Sequence, residues 1–252
     1  MKDENYVYGR NPISQLLAEE NPKISKVFFS FSASGGVINK IMAEAKKNKI
    51  AVSKMDNRKF KELEKRIGCE NGDSQGVIAL KALVEVLEDF ELFEKALKKE
   101  KYPIIVALDS IEDPHNLGAI ARTVECSGAA GILISEKNSA PITPAAIKVS
   151  TGALEIIDIA SVVNLSNSLE TAKEMGYWIV GTEMDGEKDY TDNIFDRPVV
   201  LVIGNEGKGI RPIIKKKCDI LVKIPMKGKI NSLNASVSTA IVLYERLRQV
   251  SA

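Results

Sequence analysis

The sequence has one histidine, His115, and three cysteines, Cys69, Cys126 and Cys218, none of them in a Cys-x-x-Cys pair. That scarcity argues against a Cys/His zinc site and against a Ser-His-Asp triad built on His115. Three scattered thiols are an odd number and make no disulfide framework, which fits a reducing, cytoplasmic setting. No apolar run approaches the ~20 residues that span a bilayer. The opening MKDENYVYGRNP has no apolar core and is not expected to be a secretory signal. No charge of one sign dominates either: 35 Lys and Arg face 34 Asp and Glu, for a net charge of +1. Any case for a polyanionic partner therefore rests on local charge.

What is present reads as a folded chain of 252 residues, 44% hydrophobic and 27% charged. Residues 1–80 alternate strand and helix signals. A short helix through Ile13, Leu16 and Leu17 precedes a strand at 26–29. A helix over 37–49 and a strand over 50–55 follow. Asp56 is placed to cap a helix carrying Phe60, Leu63 and Ile67, and a strand over 75–80 closes the unit. Residues 81–103 run from acidic to basic and read as a linker with an amphipathic, solvated helix. Residues 104–252 hold continuous apolar runs at 104–108, 131–134, 178–181, 199–203 and 220–224, as expected of strands buried on both faces. Helices are expected around 118–127, 165–175, 210–217 and 234–249. The last would place Val237, Ala240, Ile241, Tyr244 and Leu247 on one face. The fold class is α/β, with a parallel sheet in the larger unit.

Three polar blocks follow apolar strands. The first is Asn116-Leu117-Gly118-Ala119-Ile120-Ala121-Arg122. The second is Gly204-Asn205-Glu206-Gly207-Lys208-Gly209. The third runs from Ile224-Pro225-Met226 to Ser232-Leu233-Asn234-Ala235-Ser236. Ligands of open α/β sheets sit beyond the carboxyl ends of strands, where these blocks lie. Taken singly, each has a plain explanation. Asn116 would be a helix cap, as would either Ser232 or Asn234, with Arg122 a surface cation and the glycines a connector. The second block is neither G-x-G-x-x-G nor a phosphate loop with Lys-Ser/Thr, which excludes a nicotinamide site and a nucleoside triphosphate site of those kinds.

Together, in this order over 104–252, the blocks resemble the signature of the SpoU (TrmH-like) branch of the SPOUT methyltransferases. Tyr8-Gly9-Arg10-Asn11-Pro12 and Ser74-Gln75-Gly76-Val77 are similar to the start and end of the small L30e-like module of members that modify large-subunit rRNA. Many members have His where Ser74 stands here. The resemblance implies a SPOUT domain with a trefoil knot, acting as a homodimer, with S-adenosylmethionine as cofactor and no metal. Gly204, Ile224 and Leu233 would lie on the cofactor, with Thr182, Glu183 and Met226 as neighbours. The implied reaction is methylation of a ribose 2′-OH, with Asn116, Arg122, Glu206, Ser232 and Asn234 as catalytic residues. Arg122 is the group the family assigns to activating the hydroxyl. A guanidinium stays protonated, so holding a phosphate or the charged oxygen suits it better than taking a proton.

The implied substrate is RNA, favouring 23S rRNA, with tRNA as the alternative. A non-catalytic RNA-binding or ribosome-assembly protein is the reading from another class, and the intact polar blocks argue against it. Local charge fits RNA: residues 40–66 hold ten Lys or Arg against four Asp or Glu, and residues 206–229 hold eight against two.

Overall fold

The computed structural model describes residues 5–19, 22–48, 50–69, 72–136, 138–229 and 232–251. The chain divides into two compact units, Met1–Leu83 and Val84–Ala252.

The first unit runs β1 (Tyr6–Tyr8), α1 (Arg10–Leu17), β2 (Ile24–Ser30), α2 (Gly36–Lys47), β3 (Ala51–Met55), α3 (Asn57–Arg66) and β4 (Val77–Lys81). Residue 49, at the end of the helix expected over 37–49, lies outside the described residues. The strands form a mixed sheet in the order β1-β4-β2-β3. Ile13, Leu17, Ile38 and Ile41 pack from the helices onto Val27, Phe29, Val77 and Ala79 of the sheet. Asp56 caps α3 as its sequence position suggests, accepting from the backbone N–H of Lys59 at 2.9 Å.

The second unit runs α4 (Asp89–Lys99), β5 (Ile104–Leu108), α5 (Pro114–Ser127), β6 (Gly131–Ser135), α6 (Pro144–Val149), β7 (Asp158–Val162), α7 (Leu165–Glu174), β8 (Trp178–Thr182), β9 (Lys188–Asp189), β10 (Val199–Ile203), α8 (Pro212–Lys215), β11 (Ile220–Lys223) and α9 (Ala235–Val250). Its seven strands are ordered β7-β6-β5-β10-β8-β11-β9, and every pairing is parallel. Every residue of β5, β6 and β10 is buried, which is why these strands read as unbroken apolar runs. Burying each Val, Leu or Ile there stabilises the unit by about 1.5–3 kcal/mol.

Several expectations change. Residues 81–103 are not a mere connector, because α4 buries Leu92, Phe93 and Ala96 in the core of the second unit. Its charges stay on the other face, which is why the segment looked solvated. β7 was not expected: it is an edge strand, and Asp158 and Ser161 interrupt its apolar run. The short α6 and the two-residue β9 were not expected either, and the helix expected over 210–217 shortens to α8.

The apolar face read from the sequence of the last helix is half-buried to exposed. α9 buries Ala235, Thr239, Val242, Leu243 and Arg246, and leaves Val237 and Tyr244 exposed. Thr239 enters the core by donating to the Ala235 carbonyl at 2.7 Å. Arg246 does so by pairing with Glu100 and the Tyr102 carbonyl. No described helix is long and apolar enough to cross a membrane.

Candidate functional site

The sheet order explains how distant blocks meet. β10, β8 and β11 are consecutive neighbours, so the segments after Ile203, Thr182 and Lys223 leave the same edge side by side. β5 adjoins β10, and α5 starts just beyond it. Four carboxyl ends thus border one region, the usual ligand edge of an open parallel sheet.

The polar centre is Glu206. Asn116 Nδ2 donates to Glu206 Oε1 at 2.9 Å, and the Ala235 backbone N–H donates to the same oxygen at 3.3 Å. Asn234 Nδ2 also donates to Glu206 Oε1, and to Asn116 Oδ1 at 2.9 Å. One residue from each block is therefore joined in a single network. Asn234 is at once the cap of α9, since its Oδ1 accepts from the Ser236 N–H at 2.9 Å. Capping and site assembly are two ends of one amide. Asn116 is not a cap: Asp113 caps α5, accepting from the His115 N–H at 2.9 Å, and Asn116 follows in the first turn. Gly118 is required by packing, because a Cβ there would lie 2.6 Å from the Ala146 carbonyl oxygen on α6.

The loop carrying Glu206 is held at its neck. Asn205 and Gly209 exchange backbone hydrogen bonds of 3.1 and 2.8 Å, and Asn205 Nδ2 reaches the Ser110 carbonyl at 3.0 Å. A Cβ on Gly204 would fall 2.4 Å from the Gly209 carbonyl carbon and the Ile210 nitrogen. Only glycine permits that approach.

Two carboxylates complete the clamp. Asp109 is fully buried and accepts from Arg211 Nε at 2.6 Å and from the Arg211 N–H at 2.7 Å. Glu183 accepts from the Ile210 N–H at 2.7 Å, with Lys215 at 3.5 Å. Lys215 also binds Asp185 at 3.0 Å; this hydrogen bond, ahead of Glu183, holds the lysine above its usual range and Asp185 below its own.

The remaining predicted residues are placed less closely. Thr182 Oγ1 donates to the Val202 carbonyl at 3.2 Å. Ile224 is half-buried against the core, Leu233 is half-buried and Met226 is exposed. Ser232 is exposed and joins no hydrogen bond among the described residues. Residues 230 and 231, inside the third block, lie outside the described residues. Arg122 is exposed on α5, about 9 Å along the helix from Asn116, and is not bonded to it.

Sequence reasoning missed Asp109, Ser110, Asn205 and Arg211. The available signal was an aspartate directly after a fully apolar strand, a position where a carboxylate needs a partner. Cys218 is no nucleophile for this region, because burial pushes its thiol up to about 12.

Residues 103–244 match the SpoU rRNA Methylase family, and residues 6–85 match a module described as RNA 2′-O ribose methyltransferase substrate binding. The chain belongs to the SpoU methylase family. The TrmH family protein YacO of Bacillus subtilis, whose RNA is given as tRNA or rRNA, is 37% identical over 98% of this chain and 97% of its own length. The 23S rRNA (guanosine-2′-O-)-methyltransferase RlmB of Pseudomonas putida is 34% identical over 96% of each chain.

Among solved structures, the SpoU methyltransferase AviRb of Streptomyces viridochromogenes in complex with AdoMet is 26% identical. It aligns with a TM-score of 0.60 over 98% of this chain and 90% of its own. The A. aeolicus TrmH/SpoU tRNA modifying enzyme is 32% identical, with a TM-score of 0.55 over 65% of this chain and 82% of its own. The SpoU match covers the parallel sheet of the second unit, and the substrate-binding module covers the smaller unit that precedes it.

The SpoU residues fit S-adenosylmethionine, the cofactor that the family implies. The neck at Gly204 is backbone closed on backbone, the adjoining strand ends offer Thr182 and Ile224, and Glu206 places a carboxylate at the same edge. A site for that cofactor needs small residues, apolar walls and a few fixed polar groups. Among the described residues no group of three or more His, Cys, Asp or Glu is arranged to hold a metal.

Proposed function

We propose that this SpoU-family RNA methyltransferase transfers a methyl group from S-adenosylmethionine to the ribose 2′-OH of a guanosine in 23S rRNA. The observation that carries this reading is the network in which Asn116, Glu206 and Asn234 meet. It is supported by the 34% identity to an RlmB over nearly the whole chain. When bound, S-adenosylmethionine supplies an electrophilic methyl on a sulfonium.

The chain's own residues do the rest. Gly204, Ile224 and Leu233 form the cofactor wall, with Thr182, Glu183 and Met226 around it. Glu183 acts mainly by holding the 204–210 loop through the Ile210 N–H. Asn116 and Asn234, fixed by Glu206, orient the ribose, and Ser232 completes the polar rim. Arg122 steadies the negative charge that grows on the 2′-oxygen as its proton passes to solvent water, a task suited to a permanent cation. A ribose target makes the substrate RNA, since DNA lacks this hydroxyl.

The trefoil knot and homodimer of the family belong to this reading. Val237 and Tyr244, exposed on α9, supply an apolar face that a second copy would cover. The test is methyl transfer in vitro to unmodified 23S rRNA and to unmodified tRNA. Transfer to a 23S guanosine supports the reading. Transfer to tRNA alone replaces it with the tRNA reading, and transfer to neither leaves the non-catalytic one.

A further inference from the structure

The first unit carries a feature that its own fold does not use. Phe31, just beyond β2, is 66% exposed and contributes nothing to either core cluster of that unit. The turn beneath it is nevertheless tightly fixed. The Phe31 N–H donates to the Met55 carbonyl at 2.9 Å, and the Ala33 N–H to the Ser30 carbonyl at 3.0 Å. Asn57 Oδ1, at the start of α3, accepts from Ser30 Oγ at 2.6 Å and from the Ser32 N–H at 3.3 Å.

On the other side the Ser30 N–H donates to the Gly76 carbonyl at 3.0 Å. Gly76, with φ of +81°, sits so close that a Cβ on it would lie 2.7 Å from the Ala33 Cβ. A rigid turn thus holds a large ring out in water. Cations lie on the segments that hold the turn from both sides. Arg10 is held by the Gln75 carbonyl at 3.2 Å on the Gly76 side, and Arg58 and Lys61 follow Asn57 on α3. Among the described residues the Arg58 side chain pairs with exposed Glu62 at 3.3 Å, a weak surface pair that can be exchanged for a phosphate.

We propose that Phe31 is a stacking platform for an unpaired base of the substrate RNA, with Arg10, Arg58 and Lys61 on the flanking phosphates. An exposed ring among cations is how proteins grip single-stranded RNA, and stacking is worth about a tenfold gain in affinity or more per base. A rigid turn lowers the ordering cost of that contact. The RNA occupant follows from the match of residues 6–85 to a substrate-binding module and from the local charge. The proposal rests on the RNA methyltransferase reading but not on which nucleotide is methylated.

The test uses the full chain and a short single-stranded oligoribonucleotide, alone and annealed to its complement. Phe31→Ala should weaken single-strand binding about tenfold or more while leaving duplex binding, driven by phosphates, nearly unchanged. Phe31→Leu should be as weak as Phe31→Ala. Phe31→Trp in a Trp178→Phe background should restore affinity, with indole fluorescence quenched by the RNA. Wild-type affinity in Phe31→Ala, or full affinity in Phe31→Leu, would overturn the proposal. Because the readout is binding, a wild-type chain that transfers no methyl group counts against the proposed activity and not against Phe31.

Discussion

Asn116 and Glu206 stand ninety residues apart in sequence and 2.9 Å apart in space, amide nitrogen to carboxylate oxygen. Asn234 closes the triangle, bonding to both. The site is therefore shared by three chain segments, and its strength depends on one acceptor oxygen. Replacing Glu206 with Gln removes the charge that draws three donors. Hydrogen bonds to a charged group are worth about 1.5–3 kcal/mol each. Glu206→Gln should lower kcat for methyl transfer by at least about tenfold. An unchanged kcat would show that the network is only a brace for α9.

Arg122 is expected to act on the RNA side of the reaction. Arg122→Ala should reduce transfer by about a hundredfold or more, with S-adenosylmethionine affinity by calorimetry within about twofold of wild type. Arg122→Lys should not rescue fully, because an ammonium does not reproduce the planar fork. Loss of cofactor affinity in the alanine variant would move Arg122 into the cofactor pocket.

Asp109 holds the neck of the Glu206 loop from below. Breaking a buried ion pair costs about 3–5 kcal/mol. Arg211 is 40% exposed and regains water when its partner is removed, so the loss is smaller here. Asp109→Ala should cost about 2–3 kcal/mol, read from the urea midpoint at constant m-value. It should also weaken cofactor binding, because the 204–211 segment loses its anchor. Unchanged stability would mean that the pair contributes nothing net.

Gly204→Ala tests the closed neck. The added methyl would meet backbone at 2.4 Å, where no side chain can turn aside. Overpacking of this kind costs about 1–3 kcal/mol, and the loop should shift enough to weaken S-adenosylmethionine binding in a calorimetric titration. A variant that binds like wild type would remove Gly204 from the cofactor wall.

Much of this was legible in the residues. The buried strands β5, β6 and β10 announce themselves because both faces are covered, so every position is apolar. The edge strand β7 does not, since its outer side meets only a single bridge from Leu87 to Ala160 among the described residues and Asp158 and Ser161 break its pattern. In α9 the apolar stripe read from the sequence is half-buried to exposed, and the buried stripe includes Thr239 and Arg246, which enter the core only because the fold supplies partners far away in sequence or one turn back. The three blocks were legible as strand ends and as a family signature. Their mutual bonding, and the Asp109–Arg211 clamp, follow from the strand order, which no local pattern encodes.

The most direct test of the account is to incubate the full chain with unmodified 23S rRNA and methyl-labelled S-adenosylmethionine, and then to map 2′-O-methyl positions along the RNA. The account predicts one labelled guanosine whose 2′-oxygen carries the methyl, with the label lost in Arg122→Ala. Label on a base, on a tRNA instead, or on no RNA at all would contradict it.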